Sequence, residues 1–290
     1  MKSKIEWTDQ TWNPTTGCSK VSEGCRNCYA EKRSARFAST PGKYLGVTTN
    51  GKFNGTLRLH DDVLDIPLRR RKPTMYFVNS MSDLFHEKVP FEFIDRVFAV
   101  MALTPQHTFQ ILTKRPERMA EYMGRDEIWE GWRDHMPGAD AWQKRERQDR
   151  LPEPIDGSFY LPNVWLGTSV EDQKSADERV PHLLRCPAAV RFLSVEPLLG
   201  ALNLEVLTFS KGIRGTCLIG APNAIDWVIA GGESGPGARP CDVEWIRSII
   251  AQCKAADVPC FVKQDSGPRP GMQGRLDDAT WRVKEFPCRT

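Results

Sequence analysis

Residues 74–115 read TMYFVNSMSDLFHEKVPFEFIDRVFAVMALTPQHTFQILTKR and contain two apolar runs with a helical pattern between them. The runs, at 74–83 and 108–115, are apolar almost throughout and then end in polar or charged side chains. Such runs are typical of strands that are covered on both faces of a parallel sheet. The segment between them, residues 90–103, repeats its apolar side chains at helical spacing after an initial proline. This stretch therefore predicts a strand, a crossover helix and a parallel strand.

The same design continues along the chain. Further apolar runs that end in polar residues lie at 164–171, 190–196, 226–234 and 259–265, and further helical patterns at 172–185 and 241–256. One more extended segment precedes Cys18, which gives six or seven βα units. Alternating strands and helices predict a parallel sheet with right-handed crossovers. We therefore predict an α/β fold, a (β/α) barrel that is complete or incomplete. No GxGxxG follows the first strand, which disfavours a dinucleotide-binding Rossmann domain.

The length and composition fit one globular domain. The chain has 290 residues, 40% of them hydrophobic, and no apolar run approaches the roughly 18 residues that a membrane span needs. We predict a single barrel domain over residues 1–290, with excursions at about 41–73, 121–162 and 203–224. The first residues lack the apolar region of a signal peptide, so we expect a cytoplasmic location and no membrane partner.

Positive charge is concentrated in the first quarter of the chain. Residues 1–72 hold 14 Lys and Arg against 7 Asp and Glu, whereas the remainder carries a net negative charge. Such a region predicts contact with nucleic acid or another anion, and the alternative is an ordinary solvated surface. A second candidate is the stretch at 129–150, which is rich in Trp and Arg. Its interleaved acidic residues favour a salt-bridged surface helix over a nucleic-acid site.

Three of the nine cysteines lie close together in the segment GCSKVSEGCRNCYAE, residues 17–31. Cys18, Cys25 and Cys28 form a C-x6-C-x2-C motif, whereas the other six are scattered as buried structural thiols usually are. A structural zinc site normally has four protein ligands, while a four-iron cluster held by three cysteines leaves one iron open. The trio therefore predicts a metal centre, with iron–sulfur favoured over zinc. A zinc site would need a distant fourth ligand, for which His86 is the best histidine.

Polar side chains stand at the carboxyl end of every predicted strand, where βα barrels carry out chemistry. We call these the strand-end residues; the candidates among them are Asn79, Ser80, Lys114, Ser169, Glu171, Glu196 and Lys263. The alternative for about half of them is a role as helix caps or as salt bridges that close the barrel mouth. Near the sixth strand, Gly231 and Gly232 indicate a close approach of backbone and ligand.

The cysteine motif, followed by βα units, resembles that of the radical S-adenosylmethionine (SAM) superfamily. The spacing is longer than the usual C-x3-C-x2-C, and Asn27 stands where an aromatic residue usually precedes the last cysteine. The resemblance implies a [4Fe–4S] cluster on the three cysteines and SAM as a ligand of the open iron. The strand-end residues then supply partners for SAM: Ser169, Glu171 and Glu196 for the ammonium and ribose, Asn79 and Ser80 for the methionyl end, and Lys114 or Arg115 for the carboxylate.

Six stretches together resemble one phage- and prophage-encoded three-Cys-motif protein family of unassigned function. They are WNPTTGCSKVSEGCRNCYAE, YFVNSMSDLFH, ILTKRPERM, FLSVEPLLG, IDWVIAGGESGPGARP and FVKQ. The resemblance thus implies a radical-SAM-like enzyme that generates a deoxyadenosyl radical, with a reductase or flavodoxin-like protein as electron donor. The phage context of the family and the positive first quarter of the chain add a nucleic-acid base as the expected substrate. The alternative is a zinc- or cluster-stabilised nucleic-acid-binding protein without redox chemistry.

Overall fold

A curled, seven-stranded parallel sheet forms the centre of the molecule. The computed structural model describes residue 3 and residues 5–135, 160–209, 212–218 and 224–288. The strands lie side by side in chain order, with β1 and β7 at the two edges. They are β1 (Gln10–Trp12), β2 (Met75–Val78), β3 (Thr108–Thr113), β4 (Val164–Ser169), β5 (Val190–Val195), β6 (Trp227–Gly231) and β7 (Cys260–Gln264). The predicted fold class is confirmed: the sheet is a partial (β/α) barrel.

Helices connect the strands and cover the outer face of the sheet. They are α1 (Tyr29–Ala35), α2 (Ile66–Arg69), α3 (Phe91–Ala102), α4 (Pro116–Met123), α5 (Ile128–Asp134), α6 (Gln173–Leu184), α7 (Val243–Ala255) and α8 (Asp278–Trp281). The predicted helix at 90–103 is α3, and its apolar residues Phe93, Val97 and Met101 are buried. In α6, Asp172 and Ser175 form a capping box in which each side chain accepts a hydrogen bond from the other residue's backbone N–H.

The two faces of the sheet pack into two separate apolar clusters, because successive side chains of a strand point to opposite faces. Alternate strand residues such as Tyr76 and Val78 pack against the helices. The residues between them point to the concave side, where eight of them and Trp7, which precedes β1, form a second cluster. We call five of these the aromatic floor: Trp7, Phe77, Trp165, Phe192 and Trp227. Gly167 makes room for it, because a Cβ there would lie 2.6 Å from the Phe192 ring.

Short elements occupy the three predicted excursions. Two-residue antiparallel pairs join 48–49 to 52–53 and 207–208 to 214–215, and 58–59 pairs with 15–16 beside the first strand. In the excursion at 121–162, α5 is described, while residues 136–159 lie outside the described part, together with most of the Trp- and Arg-rich stretch. No helix in the described ranges is both long and apolar enough to span a membrane.

Candidate metal centre at the mouth of the partial barrel

The segment that bears the three cysteines lies across the carboxyl ends of the strands. We call residues 17–28 the cysteine loop; α1 follows it directly. The loop begins at Gly17, which forms a parallel bridge with Ser82 after β2. Gly17 has a φ of +91°, and a Cβ there would lie 2.1 Å from the Thr56 carbonyl oxygen, so only glycine fits. The bridge to Ser82 and the close packing against Thr56 together fix the position at which the cysteine loop begins.

The first support of the cysteine loop comes from β3. The Arg115 guanidinium donates hydrogen bonds to Ser19 Oγ (2.8 Å) and the Ser19 carbonyl (3.1 Å). It also donates to Asp83 Oδ2 at 3.1 Å and points Nη1 at Cys18 Sγ, 3.9 Å away. Asp83 is buried and accepts a further hydrogen bond from Thr113 Oγ1 at 2.7 Å, so the arginine is held firmly. Arg115 thus places a positive charge beside the first cysteine.

His86 supports the same part of the loop and is not placed as a zinc ligand. Its Nδ1 accepts a hydrogen bond from the Lys88 backbone N–H at 3.2 Å, so Nε2 carries the proton and donates to Ser19 Oγ at 2.8 Å. Burial, and then the nearby Arg115 charge, lower the pKa of His86 and keep the ring neutral. With both nitrogens engaged, His86 acts here as a structural contact of the loop.

The second support comes from Glu171, directly after β4. This buried carboxylate binds Lys114 Nζ at 2.7 Å and Arg179 Nη1 at 2.9 Å, and it accepts a hydrogen bond from Ser22 Oγ at 2.9 Å. Burial alone would raise the pKa of Glu171, but the two cations outweigh it and hold the pKa below its usual value. The loop passes so close that a Cβ on Gly24 would lie 2.1 Å from Glu171 Oε1. Glu171 therefore fixes the middle of the cysteine loop.

The third support follows β6. Glu233 binds the Arg239 guanidinium, with Nη2 at 2.6 Å and Nε at 3.0 Å, and accepts a hydrogen bond from Asn27 Nδ2 at 2.8 Å. Arg239 Nη2 also donates to the Glu23 carbonyl at 2.9 Å. Burial would raise the pKa of Glu233, but the hydrogen bonds from Arg239 and Asn27 lower it to about 2. This network holds the last residues of the loop.

The three thiols of the loop are free and half-buried. Burial, followed by the charge of Asp83, raises the pKa of the Cys18 thiol to about 12, while Arg115 opposes that shift. Burial likewise raises the pKa of Cys28, and the charge of Cys25 adds to the effect. Within the described ranges, no set of three Cys, His, Asp or Glu side chains is arranged to hold a metal ion. The donors fit a cluster chemically, but metal binding would have to bring the sulfurs together and displace their protons.

The strand-end residues of β2 hold the chain just before the loop. Asn79 has a φ of +58°, and its Oδ1 accepts a hydrogen bond from the Thr15 backbone N–H at 3.2 Å. Its buried Nδ2 has no hydrogen-bond partner among the described residues. Ser80 donates from Oγ to Asn13 Oδ1 at 3.1 Å, and its carbonyl accepts a hydrogen bond from the Tyr29 hydroxyl at 2.5 Å. Asn79 therefore keeps one unused donor close to the cysteine loop.

The remaining strand-end residues line the concave side above the aromatic floor. Ser169 lies two residues after Gly167 and so points to the same side, and its carbonyl accepts a hydrogen bond from Arg179 at 2.7 Å. Glu196 binds Lys263 Nζ at 2.6 and 2.8 Å. The charged strand-end residues are therefore paired with one another, as the salt-bridge alternative describes. Gly232 allows two backbone segments to approach, since a Cβ there would lie 2.4 Å from the Ser266 nitrogen. That packing, and not ligand access, explains the second glycine.

Sequence reasoning missed the partners that complete these supports. These contacts are made by Arg179, Arg239, Asn27 and Ser22. Each of these residues lies in a polar part of the sequence, and no motif distinguishes it from its neighbours. Arg239 follows the Gly- and Pro-rich segment after Glu233, and its charge is the signal that the sequence offers. The ion pairs themselves form only when distant strands come side by side.

A thiol-bearing loop held across the carboxyl ends of a partial βα barrel defines an α/β protein with a candidate metal centre at the barrel mouth. The chain belongs to the family described as "Protein of unknown function (DUF5131)", whose model matches residues 2–281. Among solved structures it is similar to a mutant of spore photoproduct lyase, with 14% identity and a TM-score of 0.40. The match covers 68% of this chain and 48% of that one, so this chain spans about half of its length. A search of curated proteins gave no match.

Proposed function

We propose that Cys18, Cys25 and Cys28 hold a [4Fe–4S] cluster and that the protein is a radical-SAM-type enzyme. The observation that carries this proposal is the fixed position of the cysteine loop. Contacts from the ends of β3, β4 and β6 hold three free thiols at the mouth of the partial barrel, where barrel enzymes perform chemistry. A purely structural loop would not need three half-buried thiols within eleven residues of sequence.

The chemistry of the donor set supports a cluster with an open iron. Three thiolate ligands would leave one iron without a protein ligand, and SAM bound there would be cleaved by one electron from the donor protein into methionine and a deoxyadenosyl radical. The role of the chain is to hold and shield the ligands. Arg115 places an N–H donor and a positive charge at Cys18, and such contacts to cluster sulfurs tune the reduction potential. Glu171 positions the loop by accepting the hydrogen bond from Ser22, and Lys114 holds that carboxylate in place through their ion pair.

Other strand-end residues suit contacts with SAM. The unpartnered Nδ2 of Asn79 is a free donor for the methionyl end. Glu196, with Ser169 on the same concave side, provides acceptors for the ribose and ammonium groups. The paired cation of Lys263 would remain beside Glu196 and stabilise its charge. An electron donor of the reductase or flavodoxin class and a nucleic-acid base as substrate complete the proposal, the latter supported by the positive first quarter of the chain.

Metal analysis of anaerobically purified protein tests the cluster. We expect about four irons and matching sulfide per chain, with a brown chromophore. Cys18→Ala, Cys25→Ala and Cys28→Ala should each lose the chromophore, whereas Cys288→Ala is the matched control, since this exposed thiol lies outside the loop. One zinc per chain would favour the alternative, a zinc-stabilised nucleic-acid-binding protein. Iron retained in all four variants would contradict the ligand assignment.

Equilibrium binding of SAM to the reconstituted protein tests the second half of the proposal. A hydrogen bond to a charged group contributes about 1.5–3 kcal/mol, so Glu196→Ala should weaken SAM binding roughly ten- to hundredfold. Glu244→Ala, an exposed carboxylate on α7, is the control and should bind SAM like the wild type. A protein that carries its cluster but binds no SAM at millimolar concentration would not be a radical SAM enzyme.

A further inference from the structure

The solvent face of α1 presents aromatic and cationic side chains directly after the last cysteine. Tyr29, Arg33, Arg36 and Phe37 are spaced at i, i+4, i+7 and i+8, so they lie along one stripe of the helix and its end. All four are exposed, and Tyr29 is 53% accessible. The two guanidinium groups make no hydrogen bond or ion pair with other described residues. We call these four residues the α1 stripe.

The surroundings of the α1 stripe are positively charged. Residues 17–60 contain eight Lys and Arg against two Asp and Glu. One of the two acids, Glu31, is buried and binds both Lys20 and Lys52 at 3.3 Å, so it adds no exposed negative charge. Arg26 pairs with Glu23 and Lys43 with Asp62, so the basic side chains of this segment without an anionic partner among the described residues are Lys32, Arg33, Arg36 and Arg58. Such unpaired cations attract a polyanion, and this attraction weakens with salt.

The aromatic residues of the stripe, Tyr29 and Phe37, favour single-stranded nucleic acid over other polyanions. Exposed aromatic rings beside guanidinium groups bind single-stranded nucleic acid, because bases stack on the rings while phosphates contact the cations. A duplex hides its base faces and offers no such stacking. Phe37 is also backed by Tyr44, with ring centroids 6.0 Å apart, which gives a broader apolar platform. Tyr29 adjoins Cys28, so a base stacked on Tyr29 would lie next to the cysteine loop.

We propose that the α1 stripe binds single-stranded nucleic acid, with phosphates on Arg33 and Arg36 and bases on Tyr29 and Phe37. This inference rests on the proposed function in one respect: the bound strand is taken to be the substrate of the candidate metal centre, which lies next to the stripe. It names the surface that selects the substrate class. From Tyr29 to Arg36 the helix rises about 10 Å, which allows a short run of nucleotides to lie along it.

Fluorescence anisotropy with labelled oligonucleotides tests the inference on the full chain. Single-stranded DNA, single-stranded RNA and duplex DNA of equal length are compared, with poly-glutamate as a competitor. We expect a single strand to bind more tightly than the duplex, and poly-glutamate to compete poorly. The stronger of the DNA and RNA arms identifies the type of strand. Failure of every oligonucleotide to bind, equal binding of the duplex, or equal competition by poly-glutamate would overturn the inference.

Variants separate the phosphate contacts from the stacking contacts. Arg33→Gln/Arg36→Gln should weaken binding at least tenfold and reduce the slope of log affinity against log salt by about 1.4, the value for two phosphates on a single strand. Lys254→Gln/Arg214→Gln removes two exposed, unpaired charges elsewhere in the described chain and should leave binding unchanged. Tyr29→Ala should weaken binding at least about fivefold, whereas Tyr29→Phe should retain it, because the ring stays. Wild-type affinity in Tyr29→Ala would exclude stacking there.

Iron content, measured on the same preparations, keeps the two proposals distinguishable. A protein that carries its cluster but binds no nucleic acid contradicts this inference and leaves the proposed function standing. A protein that binds single strands through the α1 stripe but holds no iron contradicts the proposed function and leaves this inference standing. The arginine variants should keep wild-type iron content, because neither guanidinium contacts the cysteine loop in the described structure.

Discussion

Glu171 shows how one buried carboxylate connects the sheet to the cysteine loop. Its two oxygens bind Lys114, Arg179 and the Ser22 hydroxyl, so none of the four groups is left without a partner. Removing one partner of a buried ion pair costs about 3–5 kcal/mol, because a buried charge then lacks compensation. A carboxylate that could bind a ligand is therefore engaged instead with the protein's own side chains, and through Ser22 it holds the cysteine loop.

Substituting Gly24→Ala should displace the cysteine loop while the barrel stays folded. The new Cβ would overlap Glu171, whose side chain cannot move aside cheaply because three partners hold it. We expect reconstituted iron to fall several-fold, measured as iron per chain, with little change in far-ultraviolet circular dichroism. Gly200→Ala is the matched control, since its Cβ would meet Asp172 at an ordinary 3.5 Å. Full iron loading of Gly24→Ala would show that the loop does not depend on this contact.

At the level of residues, the sequence identifies the three cysteines but not the side chains that hold the cysteine loop. The C-x6-C-x2-C spacing is visible because its members are adjacent in the chain. The bond from Ser22 to Glu171 joins residues 149 positions apart, and a single sequence carries no sign of that pairing. Lys114 and Glu171 were predicted as ligand partners from their position at strand ends, and the structure pairs them with each other.

At the level of elements, the start of α6 carries a direct link to the site. Asp172 caps this helix by accepting a hydrogen bond from the Ser175 N–H at 2.8 Å, and Ser175 Oγ accepts one from the Glu171 N–H at 2.8 Å. The helix cap and the loop-holding carboxylate therefore occupy consecutive residues. A well-formed helix start fixes the direction in which Glu171 points.

Substituting Asp172→Ala should destabilise the protein by about 1 kcal/mol, the usual cost of losing an N-cap side chain. Chemical denaturation, with the free energy of unfolding obtained by extrapolation to water, measures this change. Asp172→Asn keeps an acceptor at the cap and should retain most of the stability. Equal stability of the alanine variant and the wild type would mean that the capping box contributes nothing.

The strands and main helices were predictable because their signal is local. The apolar run at 190–196 becomes β5 at Val190–Val195, and the helical pattern at 172–185 becomes α6. The strands are shorter than the runs, as in β2, because polar residues such as Asn79 depart from the strand conformation and hold the segment before the cysteine loop. The open edges at β1 and β7 could not be predicted, since closure of the barrel depends on strand tilt and stagger that no local pattern encodes.

For the whole molecule, stability should fall as the pH drops below about 6.5. Burial lowers the pKa of His60 and His107, so the unfolded chain binds protons more readily than the folded one between the folded pKa and about 6.5. The free energy of unfolding therefore decreases as the pH falls through that window. Glu171 and Glu233, with pKa values held low, add a further loss below about pH 4.5.

Urea denaturation between pH 7.5 and 5.5 measures the histidine part of this effect. His107→Gln should flatten the pH dependence, because it removes one of the groups that must gain a proton on unfolding. Constant or rising stability toward pH 5.5 would contradict the assignment of buried neutral histidines.

The supports of the cysteine loop also order events in time. Residues 17–28 leave the ribosome early, but Arg239 and Glu233, which hold Glu23 and Asn27, lie 206 to 216 positions later. At about 5–20 residues per second, synthesis needs roughly 10–40 s to reach them. During that interval the last residues of the loop lack this third support, whereas Arg115 and Glu171, which hold its first and middle parts, have already been synthesised. The final position of the loop, and with it the loading of the proposed cluster, is therefore a late event that begins only after β6 and Arg239 have been synthesised.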